Sequence, residues 1–250
     1  AAFRATFAPS IAPVLATMPL PNAPFIPQGS STPDPNRGIY SAQRDAKLRE
    51  DTGSVKIDFL HTDKSQFSFR YNINDSKTDV PYGVASDQIA PAKLRVQLFK
   101  ASHTYTLSGT SVNEFAFGIN HNFTDVGAGP STLPRFDLSF VDQALATPGP
   151  AQFAQIRTGA VYHFLDTFSF VRGNHSMKAG VDVRFNRRDA ESKVQETLTF
   201  FGLNDFRDNV PFVVSRGGHP KLQYANENYS FFFQDDWKAH SRLSLNLGLR

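Results

Sequence analysis

The sequence has no cysteine, a single tryptophan and only two methionines. Without cysteine, neither a disulfide framework nor a cysteine-ligated metal site can form. No uninterrupted apolar run reaches the roughly 18 residues that a membrane-spanning helix needs, but this test does not detect membrane-spanning strands. Neither charge dominates, because 26 Lys and Arg stand against 23 Asp and Glu, and this balance excludes an extended basic surface for nucleic acid.

Phenylalanine, by contrast, is abundant, with 24 residues, and aromatic side chains favour β-strands. The last ten residues, SRLSLNLGLR, place Leu243, Leu245, Leu247 and Leu249 in alternation with other, mostly polar residues. Successive side chains of a strand point to opposite sides, so this pattern predicts a strand with one apolar and one polar face. The apolar face must lie against a protein core or a lipid bilayer, since burying one such side chain contributes roughly 1.5–3 kcal/mol.

Two regions of different composition follow one another along the chain. Residues 1–54 include PLPNAPFIPQGSSTPDPNRG, whose proline, glycine and serine content predicts an irregular loop segment, with at most a short helix around residues 11–17. Residues 55–250 are predicted to form four β-hairpins. The paired segments are GSVKIDFL with QFSFRYNIND, KLRVQLFKASHTYTL with VNEFAFGINHNF, RTGAVYHFLDTFSFV with HSMKAGVDVRFNRR, and NYSFFFQDDW with RLSLNLGLR.

The connections between these strands alternate between short and long. Short turns are predicted near Asp63, Gly109, Asn174 and Ala239, and long loops over residues 76–92, 125–156 and 191–223. In an antiparallel meander this alternation places all short turns at one end of the sheet and all long loops at the other. Outer-membrane barrels have this asymmetry, with short periplasmic turns and longer extracellular loops, whereas a Greek-key sandwich has no reason to show it.

The strands that rise toward the long loops have apolar faces without charge. These faces consist of Phe67, Phe69, Tyr71 and Ile73, of Phe115, Phe117 and Ile119, of Met177, Ala179, Val181, Val183 and Phe185, and of the four terminal leucines. Strands that are apolar outward and polar inward are what a bilayer-spanning barrel requires, because closure leaves no unpaired backbone in the lipid. The sequence therefore predicts an all-β fold, an antiparallel up-and-down transmembrane β-barrel segment.

The polar faces of the same strands supply candidates for an aqueous lumen and a substrate path. The candidates are Arg70, Asn72, Lys178, Asp182, Arg184, Asn246 and Arg250. Tyr229 and Trp237 bracket the FFF segment and suit the aromatic girdles at the two membrane interfaces.

The strands that descend from the long loops are less regular. Asp166 and Asp235 fall on the same faces as phenylalanines, and Lys100 follows the alternating Leu94, Val96 and Leu98. Two explanations are open: β-bulges shift the phase at these points, or the charges lie at the level of the membrane interface.

No pattern in the sequence is typical of catalysis. The seven histidines lack any metal-ligand spacing. Asp235 and Asp236 are neighbours in a strand and therefore face opposite sides, so they cannot share a substrate. We expect no metal site, no cofactor and no enzymatic activity.

The segment NYSFFFQDDWKAHSRLSLNLGLR resembles the barrel signature of TonB-dependent outer-membrane receptors. FSFVRGNHSMKAGVDVRFNRR resembles the preceding hairpin of the Oar-like subgroup, with Arg172, Gly173, His175, Lys178 and Gly180 at its core. The resemblance implies an N-terminal plug inside a barrel of about 22 strands, and import that depends on TonB. No plug, TonB box or final barrel strand is recognised here, so we expect about eight strands of a larger barrel that do not close alone.

The resemblance implies part of a receptor that binds and imports a ligand across the bacterial outer membrane. Its expected partners are outer-membrane lipid, an unidentified ligand, and the TonB complex, contacted through a plug and TonB box missing from this chain; no nucleic acid is expected. Two other functions fit the same pattern. One is a small closed eight-stranded outer-membrane barrel with a structural or adhesive role, and the other is a secreted carbohydrate-binding β-domain.

Overall fold

The computed structural model describes residues 3–35, 38–82, 88–138, 148–150 and 153–250. Two 3₁₀ turns, Phe3–Thr6 and Pro9–Ile11, precede helix α1 (Ala12–Thr17), close to the expected helix, and a second helix, α2, spans Leu203–Asp208. None of the helices in this part of the chain is long and apolar enough to cross a membrane. The strands, in chain order, are β1 (Ala23–Pro24), β2 (Gly38–Ile39), β3 (Lys47–Thr62), β4 (Ser65–Pro81), β5 (Ile89–Ser108), β6 (Ser111–Val126), β7 (Arg135–Leu138), β8 (Phe153–Arg172), β9 (His175–Val194), β10 (Thr197–Phe200), β11 (Val213–Ser215), β12 (Lys221–His240) and β13 (Leu243–Leu249).

Eight of these strands form one sheet, the main sheet, in the order β13-β12-β9-β8-β6-β5-β4-β3. Every neighbouring pair in it is antiparallel, so the chain runs up and down from one edge to the other. The first and last strands lie at opposite edges, and within the described ranges no pairing joins them. This confirms the predicted antiparallel meander and its failure to close alone.

The strands of the main sheet are longer than a bilayer requires. All strands of the main sheet except β13 have between 16 and 20 residues, whereas a tilted membrane strand needs about 9–11. Residues 47–54, which composition placed in the irregular segment, form the first half of β3. The loop expected over residues 76–92 is also wrong in extent, because residues 76–81 pair with residues 89–94.

This extension has a simple physical cause. Beyond the membrane both faces of a strand are in water, so backbone pairing continues without any alternation of apolar side chains. Only the alternation is visible in the sequence. The connections β6–β8 and β9–β12 remain long, over residues 127–152 and 195–220.

The opposite ends of the long strands are joined by two-residue turns. They lie at residues 63–64, 109–110, 173–174 and 241–242. Gly173 has a φ of +59°, in the left-handed region that side-chain-bearing residues rarely adopt. The last turn lies beyond the expected position at Ala239, because β12 continues to His240 through a register shift against β13.

The main hydrophobic cluster of the described chain lies outside the main sheet, on the N-terminal segment and the two long connections. It is formed by the buried side chains of Ile11, Val14, Phe136, Leu138, Phe200 and Phe206. A small sheet in the order β11-β10-β7 carries part of this core, and the 3₁₀ turn Pro9–Ile11, α1 and α2 supply the rest. We call this unit the cap. The N-terminal residues, predicted to be mostly irregular, are thus packed onto the two long connections.

Hydrogen bonds tie the N-terminal segment to α2. The Ala8 amide donates to the Arg207 carbonyl at 2.7 Å, and Asn209 Nδ2 donates to Ser10 Oγ at 3.0 Å. Asn209 ends the helix in the left-handed conformation, with φ 57°. In the last turn, the Arg207 guanidinium bonds the Asp208 carboxylate and lowers the pKa of that carboxyl below its usual value.

Candidate functional site

The pairing register of the main sheet defines which side chains share a face, since residues directly opposite each other in an antiparallel pair point to the same side. One row of paired residues crosses six strands and is almost wholly apolar. It consists of Phe69, Ala101, Phe117, Phe164, Val183 and Tyr229. We call this side the apolar face and the other the polar face. No described part of the chain covers the apolar face at β12 and β13, where Phe231 is 66% exposed and Leu247 54%.

The two aspartates that interrupt the apolar pattern do lie on the apolar face. Asp166 is opposite Phe115 and Val181, and Asp235 is opposite Met177 and Leu247. The register shifts of the main sheet occur elsewhere, near the short turns, so the bulge explanation is wrong for both residues.

Each aspartate has a polar neighbour on the same face. Asn113 Nδ2 donates to Asp166 at 2.8 Å, and His175 Nδ1 lies 2.7 Å from Asp235 Oδ2. Both aspartates belong to the half of their strand that ends in a short turn. A polar partner reduces the cost of a carboxylate on a face turned toward lipid.

On the polar face, the register assembles basic side chains that are far apart in the sequence. We call them the basic row: Lys56, Arg70, Lys100, His163 and Arg184, with Gly118 between Lys100 and His163. Since neighbouring strands are about 4.8 Å apart, the row extends roughly 24 Å across six strands. The same pairings place Lys100 on the polar face of β5, together with Leu94, Val96 and Leu98. The two-residue alternation of this strand is therefore not interrupted at Lys100.

The charges of the basic row are only partly neutralised. Lys56 Nζ bonds Asp58 at 2.6 Å, but within the described ranges no carboxylate lies at ion-pair distance from Arg70 or Lys100. Like charges directly opposite each other destabilise a sheet. The pairs Lys56–Arg70 and Arg70–Lys100 therefore oppose folding slightly, and an anion on this face would relieve the repulsion.

Asp182 organises the other end of the row and is only 9% exposed. Its carboxylate lies 2.9 Å from His163 Nε2, 2.9 Å from Arg184 Nη2 and 3.7 Å from Arg250 Nη2. The structure thus brings together three predicted lumen residues, Asp182, Arg184 and Arg250. Sequence reasoning missed His163, although its alternation with Tyr162 and Phe164 within β8 could have placed it on the polar face.

The remaining lumen candidates also fall on the polar face but stand apart from this cluster. Asn72 accepts a hydrogen bond from Ser54 Oγ at 2.7 Å. Lys178 is opposite Gln234, and Asn246 is opposite Asp236 near the open edge. All seven candidates therefore share one face, and their contact with a ligand stays a prediction.

The interface candidates Tyr229 and Trp237 lie on the apolar face of β12, on either side of Phe231 and Phe233. The Trp237 ring stacks on His175 with centroids 5.3 Å apart, and Tyr229 Oη donates to Glu227 at 2.9 Å. Eight residues separate the two aromatics, roughly 27 Å along a strand. A strand tilted by about 40° converts this to roughly 20 Å of height, close to the apolar band of an outer-membrane barrel.

The middle residue of the FFF segment faces the other way. Phe232 is directly opposite Gly180 on the polar face, and its ring covers that glycine. A Cβ on Gly180 would overlap the ring and the Asp166 carbonyl. Gly180 is therefore required by this close approach.

The comparisons with known proteins agree with this geometry. A family model described as an outer membrane beta barrel domain matches residues 3–250, and no curated protein sequence matches the chain. The outer membrane transporter YddB from Escherichia coli is similar over 85% of this chain and 28% of its own, with a TM-score of 0.58 and 14% identity. The ferric-catecholate import receptor Fiu from E. coli K12, in an open form, is similar over 81% of this chain and 35% of its own, with a TM-score of 0.44 and 11% identity.

The likeness to YddB shows the fold: an antiparallel sheet that corresponds to part of an outer-membrane transporter barrel. The chain spans about 28% of the length of YddB. The family model places the chain in the bacterial outer membrane, so the apolar face is the side available to lipid. The polar face then points into the interior of the barrel.

Proposed function

The chain belongs to the outer membrane beta barrel domain family, and on that premise we propose that it forms part of the wall of a TonB-dependent receptor of the Oar-like subgroup. The receptor would bind a ligand and import it across the outer membrane. The observation that carries the proposal is the basic row on the polar face. The role is one of binding and transport, without catalysis.

The basic row suits a path for a ligand with negatively charged groups. Arg70 and Lys100 form no ion pair with any carboxylate of the described residues, although Asp58 lies near enough to Arg70 to interact with its charge, so both side chains can attract anions to the barrel interior. Arg184 is held in place by Asp182, and Arg guanidinium groups recognise carboxylates and phosphates with two parallel hydrogen bonds. We propose that Asn72, Lys178, Asn246 and Arg250 extend this path along and across the wall.

Import would be powered by the inner-membrane proton gradient and coupled to the receptor through TonB. We propose that TonB acts through a plug and a TonB box that are not recognised within these 250 residues. The open edges of β3 and β13 support a wall completed by further strands, and they disfavour the alternative of a small closed barrel. The uncovered apolar face disfavours the alternative of a secreted soluble domain.

Depletion of solutes from culture medium by cells that carry the intact receptor tests the proposal. An extract of spent medium is separated on an anion exchanger into neutral and anionic fractions, and mass spectrometry follows the loss of compounds from each. We expect uptake from the anionic fraction only, abolished in cells without TonB. Uptake that persists without TonB, or that is confined to neutral compounds, would contradict the proposal.

Two double variants provide a matched comparison, one that removes both charges and one that keeps them. The double change Arg70→Gln with Lys100→Gln removes both cations that lack an ion-pair partner among the described residues and should reduce uptake severalfold without lowering the amount of receptor in the membrane. The exchange Arg70→Lys with Lys100→Arg keeps both charges and should retain uptake. Equal uptake by the two double variants would show that the charges of Arg70 and Lys100 play no part in transport.

A further inference from the structure

The turn between β8 and β9 borders an open groove on the apolar face, with a volume of about 610 Å³. Its lining includes Phe170, Arg172, His175, Met177, Asp235 and Trp237. This is the short-turn end of the sheet, which in outer-membrane barrels faces the periplasm. The groove therefore opens toward the headgroups of the periplasmic leaflet, and Phe170 and Met177 continue it toward the acyl chains.

The groove holds a carboxylate whose charge is only partly compensated. An ionised carboxylate can only accept hydrogen bonds, so His175 Nδ1 donates to Asp235 Oδ2 across 2.7 Å. The other oxygen, Oδ1, is buried, and no residue of the described chain bonds it. Oδ2 still has a free lone pair, and the Asp235 side chain is 14% exposed. Oδ2 can therefore accept a second hydrogen bond from a cationic donor.

The groove also holds a cation at a suitable distance. Arg172 is directly opposite His175, which in turn is opposite Trp237, and Asp235 lies two residues farther along β12. The backbones of Arg172 and Asp235 are therefore roughly 10 Å apart across the sheet and roughly 7 Å apart along the strands, roughly 12 Å in all. Within the described ranges no carboxylate lies at ion-pair distance from Arg172, which is exposed. A molecule that contacts both side chains must carry a cation and an anion separated by a few bonds.

We propose that this groove binds one zwitterionic phospholipid of the periplasmic leaflet through its headgroup. The primary ammonium group of a phosphoethanolamine headgroup donates to Asp235, the phosphate accepts from Arg172, and an acyl chain lies along Phe170 and Met177. Trp237, stacked on His175, forms the wall of the groove at the interface level. The inference goes beyond the proposed transport function, because it concerns the outer surface of the barrel and not its interior.

Native mass spectrometry of the intact receptor, released from the membrane in mild detergent, tests the site. The protein is exposed to equal amounts of phosphatidylethanolamine, phosphatidylcholine and phosphatidylglycerol, and the retained lipid is counted. We expect preferential retention of phosphatidylethanolamine, because the trimethylated headgroup of phosphatidylcholine has no N–H to donate and phosphatidylglycerol has no cation. Equal retention of the three lipids would overturn the proposal, as it would mean a non-specific lipid shell.

Two substitutions and two controls assign the contacts. Asp235→Asn should reduce the preference for phosphatidylethanolamine by about tenfold or more, the factor that one charge-assisted hydrogen bond supports. Arg172→Gln should weaken retention of all phospholipids that share the phosphate. Asp236→Asn, one residue along on the polar face, and Asp166→Asn, on the apolar face outside the groove, should leave the preference unchanged.

The lipid-retention test remains decisive even if Asp235→Asn lowers the yield of folded receptor. Gel mobility before and after heating reports the folded fraction of each variant, and the lipid competition on the wild-type receptor does not require the variant. If folded Asp235→Asn protein keeps the preference for phosphatidylethanolamine, the Asp235 carboxylate does not take part in the site. If the wild-type receptor shows no preference among the three lipids, the proposed lipid site is refuted, whatever the result of the uptake experiment.

Discussion

Replacing Phe69 by arginine tests whether the apolar face meets lipid. Phe69 lies in the row that crosses six strands, is 39% exposed, and stacks beside Phe67 with ring centroids 6.4 Å apart. An arginine on the lipid face costs about 2–4 kcal/mol at the bilayer midplane and less toward either interface. At about 1.4 kcal/mol for each factor of ten, the midplane cost sets the upper bound, a fall of roughly 30- to 700-fold in the ratio of folded to unfolded receptor.

The matched change is Ser68→Arg, one residue earlier in β4. Ser68 is on the polar face, directly opposite Asp58, so an arginine there faces the barrel interior beside a carboxylate. We expect its stability to remain within about 0.5 kcal/mol of the wild type. Urea titration of the intact receptor folded into vesicles measures both changes, and heat-dependent gel mobility measures the folded fraction recovered from outer membranes.

A third variant, Phe69→Trp, distinguishes lipid from a close-packed protein core. A face covered by lipid has no fixed packing atoms beyond the ring and should accept the larger side chain, whereas overpacking a protein core costs about 1–3 kcal/mol. Equal damage by arginine at positions 68 and 69, or failure of the tryptophan variant to assemble, would refute the assignment of the two faces.

Three further changes test the polar face and the cap. Gly180→Ala should destabilise the receptor by about 1–3 kcal/mol, because the new Cβ meets the Phe232 ring and a backbone carbonyl, whereas at Gly118 the nearest backbone atom is 3.6 Å away and alanine should be tolerated; urea titration compares them. Phe206→Ala removes a 3%-exposed ring from the cap core and should make residues 195–220 more sensitive to protease added to whole cells, with an unchanged amount of receptor in the membrane. Asp182→Asn leaves three basic side chains without their shared carboxylate, so its stability should rise with added salt more steeply than that of the wild type; a parallel salt dependence would argue against the cluster.

The alternation of apolar and polar residues was sufficient to predict both faces of the rising strands. Phe67 to Ile73 and Met177 to Phe185 keep strict period two, and a strand has only two sides, so parity alone assigns every residue of these segments. The order of short and long connections then predicted the meander, because antiparallel neighbours must return at alternating ends of a sheet. The seven lumen candidates share one face for the same reason.

The ends of the strands and the lateral neighbours were decided only by the tertiary structure. Residues 47–54 and 76–81 pair in water, where no apolar alternation marks a strand. Lys56, Arg70, Lys100, His163 and Arg184 become one row only when the register of five successive pairings is known, and each register depends on turns and shifts that local pattern does not specify.

The packing of the cap also could not be predicted from the sequence. Ile11 and Val14 belong to a proline-rich segment without a strand pattern, and their partners Phe136, Phe200 and Phe206 lie on connections more than a hundred residues away. Hydrophobic burial is non-directional, so a sequence indicates that such side chains need cover but not which distant ones provide it. The sequence by itself determined the faces of the membrane wall, whereas the tertiary structure decided which residues meet across it and above it.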